Sequence, residues 1–262
     1  MAVKLNYRQY SDAGQPLLMM HGLFGSQSNW GWHSKKLAEH FAVYGVDLRN
    51  HGDSPHHPEM SYQAMAEDVQ LLLEDLGFDS CCLLGHSMGG KVAMQLALNQ
   101  PQLVDKLIVV DIAPVNYMAG GEGHLNVFTG MKALDLSTLT SRKAAEETLA
   151  QYIEDADTLQ FILSNLVRES SGSYRWRLNV DALFEHYDAL RVAPEGAQSF
   201  DKPTLFIKGE LSGYIRERNE TEIRQLFPLA TIEVVAGAGH WVHAENPQAL
   251  QDLVLGFLGG QA

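Results

Sequence analysis

Short apolar runs that alternate with helical patterns are the feature that most constrains the fold of this chain. Four such runs occur between residues 16 and 110, at 17–20, 42–46, 81–84 and 107–110, and each ends at a glycine or a polar residue. Runs that are apolar at successive positions are typical of parallel strands covered by helices on both faces. The sequence therefore predicts an α/β fold with a doubly wound, mostly parallel sheet.

Helix signals lie between these runs. Ser61 is a candidate N-cap, Gly77 a candidate end, and the positions between them carry an apolar stripe at Met65, Val69, Leu72 and Leu76. A second helix is predicted from about residue 88 to residue 99, where Pro101 stops it. The segment up to Tyr10 is expected to form an edge strand or a hairpin.

The alternation breaks between residues 113 and 200. This stretch has no strand-like core run, and its amphipathic patterns predict helices at 141–153, 157–169 and 180–190. The core pattern then returns, with strands at 203–207 and 232–235 and helices at 220–226 and 247–258. We therefore expect an α/β core of residues 1–112 and 201–262, into which residues 113–200 are inserted as a helical cap.

Composition narrows the class of protein. A net charge of -13 disfavours a nucleic-acid partner, because phosphate binding needs clustered Lys and Arg, and it gives no support for binding an anionic membrane. No apolar stretch is long enough to span a membrane. Cys81 and Cys82 are adjacent in a buried strand, and residues 1–8 lack the apolar region of a signal peptide. Cytoplasmic localisation is the expectation.

A G-x-S-x-G pentapeptide at residues 85–89 carries the first chemical signal. The pattern alone is weak in a chain with 23 glycines, but here it follows a buried strand and opens a helix, as a nucleophile elbow requires. Side chains at the flanking glycines would collide with the neighbouring strand and helix. Ser87 is thus the candidate nucleophile, and the alternative is a glycine-rich turn with an incidental serine.

A serine nucleophile needs a base, and the chain has eleven histidines. His240 lies just past the last predicted strand, at the edge where an open parallel sheet gathers its ligands, and it is the main candidate. His243 is expected to face the following helix or solvent. His21 and His86 lie in glycine motifs and favour structural roles, while His51 is a weaker candidate for the base.

The third member of a triad is a carboxylate that orients the imidazole. In most proteins with such an elbow this acid follows the strand after the cap, but Ser212 occupies that position here. Glu210 is the nearby carboxylate and stands early for the role. Asp111 ends the strand directly after the nucleophile helix, and the order Ser87, Asp111, His240 obeys the usual Ser, Asp, His order. Asp111 is the preferred acid, and Glu210 is the alternative. If Asp111 has no catalytic role, it is expected to be a simple helix or turn cap.

The tetrahedral oxyanion of acyl transfer needs backbone N–H donors. Met88 supplies one at the helix start, and Leu23, in the glycine-containing loop at residues 21–25, is the candidate for the second. His240 and His243 are spaced i,i+3, but no further ligand cluster supports a metal site. No phosphate loop or dinucleotide fingerprint occurs either, so no metal and no cofactor are expected.

Taken together, these segments make the chain resemble the α/β-hydrolase superfamily over its whole length, and more narrowly the YbfF-type bacterial esterases. The matching segments are residues 21–26, 46–54, 85–91, 110–115, 175–179 and 239–247. The resemblance implies a carboxylesterase or acyl-thioesterase with a helical cap and no cofactor, in which the acid follows the strand after the nucleophile, in agreement with Asp111. The segment 118–121 departs from the pattern and leaves the cap entrance and the acyl preference open.

The predicted function is a serine hydrolase that cleaves a small-molecule acyl ester or thioester through an acyl-enzyme. The same triad also serves C–C bond hydrolases, which remain an alternative. A second alternative, from another class, is a non-catalytic ligand-binding protein on the same fold. Dehalogenases and epoxide hydrolases of this fold use Asp as the nucleophile, so Ser87 disfavours them.

Overall fold

The computed structural model describes residues 1–118, 121–196 and 198–259, and a seven-stranded sheet runs through it. These described residues contain nine strands, which are β1 (Tyr7–Gln9), β2 (Pro16–Met20), β3 (Ala42–Val46), β4 (Cys81–His86), β5 (Val104–Val110), β6 (Leu166–Arg168), β7 (Tyr174–Trp176), β8 (Thr204–Gly209) and β9 (Ala230–Val235). The central sheet has the order β1-β3-β2-β4-β5-β8-β9, and only the edge strand β1 is antiparallel to its neighbour. The predicted doubly wound, mostly parallel sheet is confirmed.

Helices cover both faces of this sheet. In chain order, the helices of the described residues are α1 (Gly31–Leu37), α2 (Tyr62–Leu76), α3 (Met88–Asn99), α4 (Glu122–Ala133), α5 (Arg142–Leu149), α6 (Ala156–Leu163), α7 (Val180–Glu185), α8 (Glu220–Leu226), α9 (Val242–Glu245) and α10 (Pro247–Leu258). Of these, α4 to α7 lie in the segment between β5 and β8 and pack mainly on one another. On β4, Cys81 and Leu83 pack toward α2 and α3, whereas Cys82 and Leu84 pack toward α1 and α10. Both sides of the strand are buried, which is why its sequence is apolar at successive positions.

The ends of α2 follow the chemistry predicted for them. The Ser61 hydroxyl accepts a hydrogen bond from the Ala64 N–H at 3.2 Å, and Gly77 ends the helix in the left-handed conformation at φ 72°. Ser61 satisfies one of the N–H groups that have no partner within the helix, and Gly77 has no Cβ to oppose this turn. None of the helices in the described ranges is long and apolar enough to cross a membrane.

The register of the sheet brings the ends of β4, β5 and β8, and the loops that follow them, to one edge of the sheet. His86 at the end of β4 pairs with Val110 at the end of β5, and Val110 pairs in turn with Ile207 of β8. Because these strands are parallel, the loops that follow them leave the sheet on the same side. Side chains from positions far apart in the chain can therefore meet there.

The segment between β5 and β8 differs in detail from the sequence prediction. The helix predicted for 157–169 ends at Leu163, and residues 166–168 pair instead with Tyr174–Trp176 as a small antiparallel hairpin. The hairpin turns at Gly172, which has φ 90°, and its strands of three residues are too short to produce a periodic pattern. Helix α4 was not predicted, since two glycines interrupt its pattern. The division into a core and a cap of residues 113–200 stays a prediction.

A buried ion pair ties the loop after β3 to helix α2. Arg49 donates from Nε to Oδ2 of Asp68 at 2.6 Å and from Nη2 to Oδ1 at 2.7 Å, and both side chains are fully buried. Asp68 also accepts from the Val3 N–H at 2.6 Å, so the carboxylate joins three parts of the chain. A buried pair of this kind stabilises little in itself, but the loss of one partner leaves an uncompensated charge in the interior.

We expect Asp68→Asn to lower the free energy of unfolding by about 3–5 kcal/mol, because the Arg49 guanidinium would lose its buried counter-charge and keep only the half-exposed Glu59 carboxylate, 3.8 Å from Nη1. Urea denaturation followed by circular dichroism measures this change. Asp75→Asn is the matched control, since Asp75 pairs with Lys4 at the surface and its loss should have little effect. Equal stability of the two variants would contradict the prediction.

Candidate active site

The turn between β4 and α3 presents Ser87 in a strained backbone conformation. Its φ is 52° and its ψ is -117°, in a region that non-glycine residues rarely adopt. A Cβ on Gly85 would lie 2.2 Å from the Gly89 carbonyl oxygen, and one on Gly89 would lie 2.5 Å from that of His21. The two glycines of the motif are thus required by contact, and they allow the tight turn that holds Ser87 above the sheet edge.

His240 and Asp111 meet Ser87 at this edge. His240 Nε2 lies 3.1 Å from Ser87 Oγ, and its Nδ1 lies 2.7 Å from Asp111 Oδ2. Asp111 is fully buried, whereas the His240 side chain is 21% exposed. With Nδ1 donating to the carboxylate, Nε2 is left to accept a proton from the serine hydroxyl.

Three donors converge on the Asp111 carboxylate. The Gly209 N–H donates to Oδ1 at 3.1 Å, while the Ser212 hydroxyl and His240 Nδ1 both donate to Oδ2. Glu210 is exposed and accepts instead from the Gly237 N–H at 2.8 Å. The structure therefore brings Asp111, and not Glu210, against His240.

Ser212 is the residue that sequence reasoning noted only as the occupant of the usual acid position. Its hydroxyl donates to Asp111 and accepts from the Tyr214 N–H at 3.2 Å. Each hydrogen bond to an ionised group contributes about 1.5–3 kcal/mol when buried. Ser212 thus contacts the His240 imidazole indirectly, through the Asp111 carboxylate that both side chains share.

We expect Ser212→Ala to lower kcat for ester hydrolysis by about tenfold, because the Asp111 carboxylate loses one of its three donors and orients His240 less firmly. KM should change little, since the hydroxyl faces the carboxylate. Steady-state kinetics on a p-nitrophenyl ester measure both constants. Ser199→Ala is the control, because the Ser199 hydroxyl donates to Asp201 and not to Asp111. An unaltered kcat in Ser212→Ala would contradict this role.

Aromatic rings also fix the His240 imidazole. The Tyr214 ring stacks on it at a centroid distance of 4.0 Å, and His86 Nε2 donates to the His240 carbonyl oxygen at 2.8 Å. His243 was expected to face the following helix or solvent, and this expectation is wrong. Its ring packs between those of Trp30 and His86, at 5.0 Å and 4.7 Å, because the short helix α9 turns it back toward the sheet.

The loop after β2 holds the predicted oxyanion donor Leu23. Phe24 has φ 63°, and its N–H donates to His51 Nε2 at 3.3 Å. Leu23 and Met88 both line a cavity into which Ser87 opens, and Met88 is the first residue of α3. N–H groups in the first turn of a helix have no partner within it, so that of Met88 is suited to bind an anion.

His21 and His51 fix this loop in their neutral forms. Nε2 of His21 accepts from the Leu48 N–H at 3.0 Å and Nδ1 donates to the Gly22 carbonyl, while Nε2 of His51 accepts as described and Nδ1 donates to the Arg49 carbonyl. Burial lowers the pKa of His21 to about 4 and, with His21 nearby, that of His51 to about 3. Protonation of either ring at Nε2 would place a new N–H donor against the backbone N–H group that now donates to that nitrogen.

This arrangement predicts loss of stability in acid. In the unfolded chain these histidines titrate near the ordinary pKa of 6.5, so below that pH the unfolded chain binds more protons than the folded one. The stability that the neutral His21 and His51 contribute is fully present above pH 6.5 and is lost as the pH falls toward 4. Between pH 7.5 and 5.5 the free energy of unfolding should fall by at least about 2.5 kcal/mol in urea titrations. The fall should be smaller by about 1.4 kcal/mol in His51→Gln; equal stability at both pH values would contradict the prediction.

Two cavities meet at Ser87. The first, which we call the apolar lobe, has a volume of about 360 Å³ and is lined mainly by aromatic and aliphatic side chains, including Trp30, Ile153, Phe161, Ile162 and Trp241. The second, the basic lobe, has a volume of about 390 Å³, and its lining includes Lys91, Tyr187, Arg191, Tyr214 and Arg216. Leu23, Ser87, Gly123 and His124 border both lobes.

The segment 113–200 supplies part of both lobes, through residues on α4, α6 and the connections beside them. Of the divergent segment 118–121, Ala119 and Gly120 lie outside the described residues. Within residues 1–118, 121–196 and 198–259, no three His, Cys, Asp or Glu side chains are arranged to hold a metal ion.

Several known proteins are similar to this chain in sequence and in fold. A family model described as the alpha/beta hydrolase fold matches residues 15–247. The sn-1-specific diacylglycerol lipase ABHD11 of Mus musculus is 44% identical over 255 residues, which cover 94% of this chain and 82% of the mouse protein. Esterase YbfF of Escherichia coli (strain K12) is 36% identical over 260 residues, covering 98% of this chain and 99% of that protein.

A solved structure is similar as well. The structure of a marine microorganism esterase superposes with a TM-score of 0.95 at 37% identity, covering 98% of this chain and 100% of the other. These matches confirm the resemblance that the sequence motifs predicted.

Proposed function

The chain belongs to the α/β-hydrolase fold family and is an ester-cleaving hydrolase of the carboxylesterase type, and we propose that it works through an acyl-enzyme formed on Ser87. The observation that carries this proposal is the continuous chain of hydrogen-bonding contacts from Ser87 Oγ through His240 to the buried Asp111 carboxylate. In this proposal Ser87 is the nucleophile, His240 the general base and acid, and Asp111 the orienting carboxylate.

The first half of the reaction transfers the acyl group to the protein. Ser87 Oγ attacks the ester carbonyl carbon as His240 Nε2 takes the hydroxyl proton. The imidazolium that forms is stabilised by the Asp111 carboxylate, which stays ionised. When the tetrahedral intermediate collapses, His240 returns the proton to the leaving alcohol, and the acyl group remains on Ser87.

The second half releases the acid. Water takes the place of the alcohol, His240 Nε2 accepts one of its protons, and the hydroxide attacks the acyl carbon. Collapse of the second tetrahedral intermediate breaks the bond to Ser87 Oγ, which regains its proton from His240. In both halves we assign the N–H groups of Leu23 and Met88 to the developing oxyanion, where such donors are worth about 10²–10³ in rate.

The substrate is a small-molecule ester, and the apolar lobe suits its acyl chain. The mouse relative is named as a lipase that acts on the sn-1 ester of diacylglycerol, and a lobe lined by rings and branched chains fits such a chain by burial of apolar surface. Thioesters present the same carbonyl to the same triad and form a second substrate class. The cytoplasmic location remains a prediction, in keeping with two cysteines that are free and buried.

A fluorophosphonate probe, followed by peptide mass spectrometry, tests the nucleophile directly. We expect a single adduct on Ser87 and, in a panel of p-nitrophenyl esters and acyl-CoAs of graded length, turnover that depends on acyl length. Labelling of Ser87 without turnover of either class would contradict ester cleavage and favour the C–C bond hydrolase. A non-catalytic binding protein would neither be labelled nor release p-nitrophenol, and that pair of results would overturn the proposal.

A further inference from the structure

The two lobes that meet at Ser87 differ in the charged side chains that line them. Glu154 and Asp155 belong to the lining of the apolar lobe, which includes no Lys or Arg among the described residues. The basic lobe includes Lys91, Arg191 and Arg216, and no Asp or Glu stands among its described lining residues. In a chain with a net charge of -13, this places a local positive potential on one side of the nucleophile.

Arg216 has guanidinium donors free for a ligand. Its Nε donates to the Gly213 carbonyl oxygen at 2.9 Å, which fixes the side chain beside the lobe. Among the ion pairs of the described residues, none involves Arg216. The planar guanidinium matches the two oxygens of a carboxylate or phosphate.

Arg191 is held more firmly on the same lobe. Its Nε donates to the Tyr117 carbonyl oxygen at 2.8 Å and its Nη2 to that of Met118 at 2.5 Å, while Asp188 lies 3.3 Å from Nη1. The Arg191 side chain is only 14% exposed, whereas that of Asp188 is 82% exposed. Water screens the Asp188 charge more than that of Arg191, so a positive field remains inside the lobe.

Lys91 lines this lobe and holds the backbone around it. Its buried ammonium donates to the carbonyl oxygens of Val115, Arg191 and Val192, at 3.0, 3.3 and 2.5 Å. All three donors are used on the backbone at the two ends of the inserted segment. Lys91 therefore positions the wall that carries Arg191.

We propose that the basic lobe is a subsite for a carboxylate or phosphate group of the substrate, bound by Arg216 with Arg191 beside it. The preferred ester then has an apolar half, which lies in the apolar lobe, and an anionic half. This inference rests on the proposed function, because both lobes are defined by their meeting at Ser87.

The anion has two chemical sources, the acid half or the alcohol half of the ester, and two pairs of substrates separate them. The first pair is the p-nitrophenyl monoester of glutaric acid and its carboxamide analogue, the p-nitrophenyl ester of glutaramic acid. The second is 3-carboxyphenyl butanoate and 3-carbamoylphenyl butanoate. Within each pair the two members have nearly the same shape, and a carboxylate in one replaces a carboxamide in the other. After subtraction of the spontaneous hydrolysis rate, the change in the kcat/KM ratio between wild type and variant reports recognition of the anion.

For at least one pair we expect wild-type protein to favour the charged member, and Arg216→Gln to reduce that preference by about tenfold. Arg216→Lys should keep part of it, and added salt should weaken it. Arg218→Gln is the matched control, since Arg218 is exposed two residues away and lines neither lobe. Its ratio should equal that of wild type. The pair that responds identifies the half of the ester that carries the anion.

The inference is overturned if wild type prefers the neutral member of both pairs, or if Arg216→Gln leaves both ratios at the wild-type value. Failure of the proposed function gives a different result, in which the neutral members are not hydrolysed at all. The two failures are thus distinguishable in one set of assays.

Discussion

Ser87→Ala should lower kcat for p-nitrophenyl butanoate by about 10⁴–10⁶, the largest effect expected of any single substitution in this chain. Alanine keeps the Cβ and the strained backbone of the turn but removes the oxygen that forms the acyl bond. The rate that remains comes from the oxyanion donors and from binding, which act on the uncatalysed attack of water.

Stopped assays with long incubation and a fluorophosphonate probe measure this loss. Ser171→Ala, in the exposed turn between β6 and β7, is the matched control and should retain full activity. Circular dichroism should give the same folded spectrum for both variants. Near-normal turnover by a folded Ser87→Ala protein would rule out the acyl-enzyme mechanism.

Asp111→Asn should lower kcat by about 10³–10⁴, a smaller loss than that expected for Ser87→Ala. Gly209, Ser212 and His240 all donate to the carboxylate, and a carboxamide offers one acceptor oxygen and an NH₂ group in its place. One donor must then face another, and the imidazole is driven toward the tautomer that presents a proton to Ser87.

Glu210→Gln is the matched control for this prediction. Glu210 is the alternative acid by sequence, but its carboxylate contacts the Gly237 N–H at the surface. Its substitution should change kcat by less than about threefold, in line with the small effects of surface polar changes. The reverse ranking of the two variants would move the role of the acid to Glu210.

The sheet and its active edge could be predicted because burial on both faces leaves a direct trace in sequence. Residues 81–84 are apolar at each position, and the pattern stops where the chain leaves the sheet. The same logic located Ser87, Asp111 and His240, since each follows a strand whose end was visible in the pattern. Parallel strands with right-handed crossovers then leave few ways for these ends to be arranged.

The surroundings of these residues could not be predicted in the same way. The stacking of Tyr214 on His240 and the packing of His243 between Trp30 and His86 depend on how loops from separate parts of the chain meet. No local pattern encodes such contacts. Ser212 was the exception, because a serine at a position usually occupied by an acid is visible in sequence, although its hydrogen bond to Asp111 is not.

The residues that line the two lobes could not be predicted from any sequence pattern. Trp30, Ile153 and Trp241 line one of them from three distant segments, and their spacing in sequence has no period. The short hairpin of β6 and β7 was missed because its strands of three residues are too short to produce a periodic pattern.

The in-register pairing of β4 and β5 has a consequence for when activity first arises. Ser87 and Asp111 follow paired residues of neighbouring strands, so a single strand, helix and strand carries both of them. His240 follows β9, at the far end of the sheet order. A ribosome synthesises the chain from its N-terminus, so residues 87 and 111 are in place before residue 240 has been added. In the proposed mechanism His240 is the base, and we therefore expect Ser87 of the growing chain to remain unacylated until residue 240 has been added and β9 has docked.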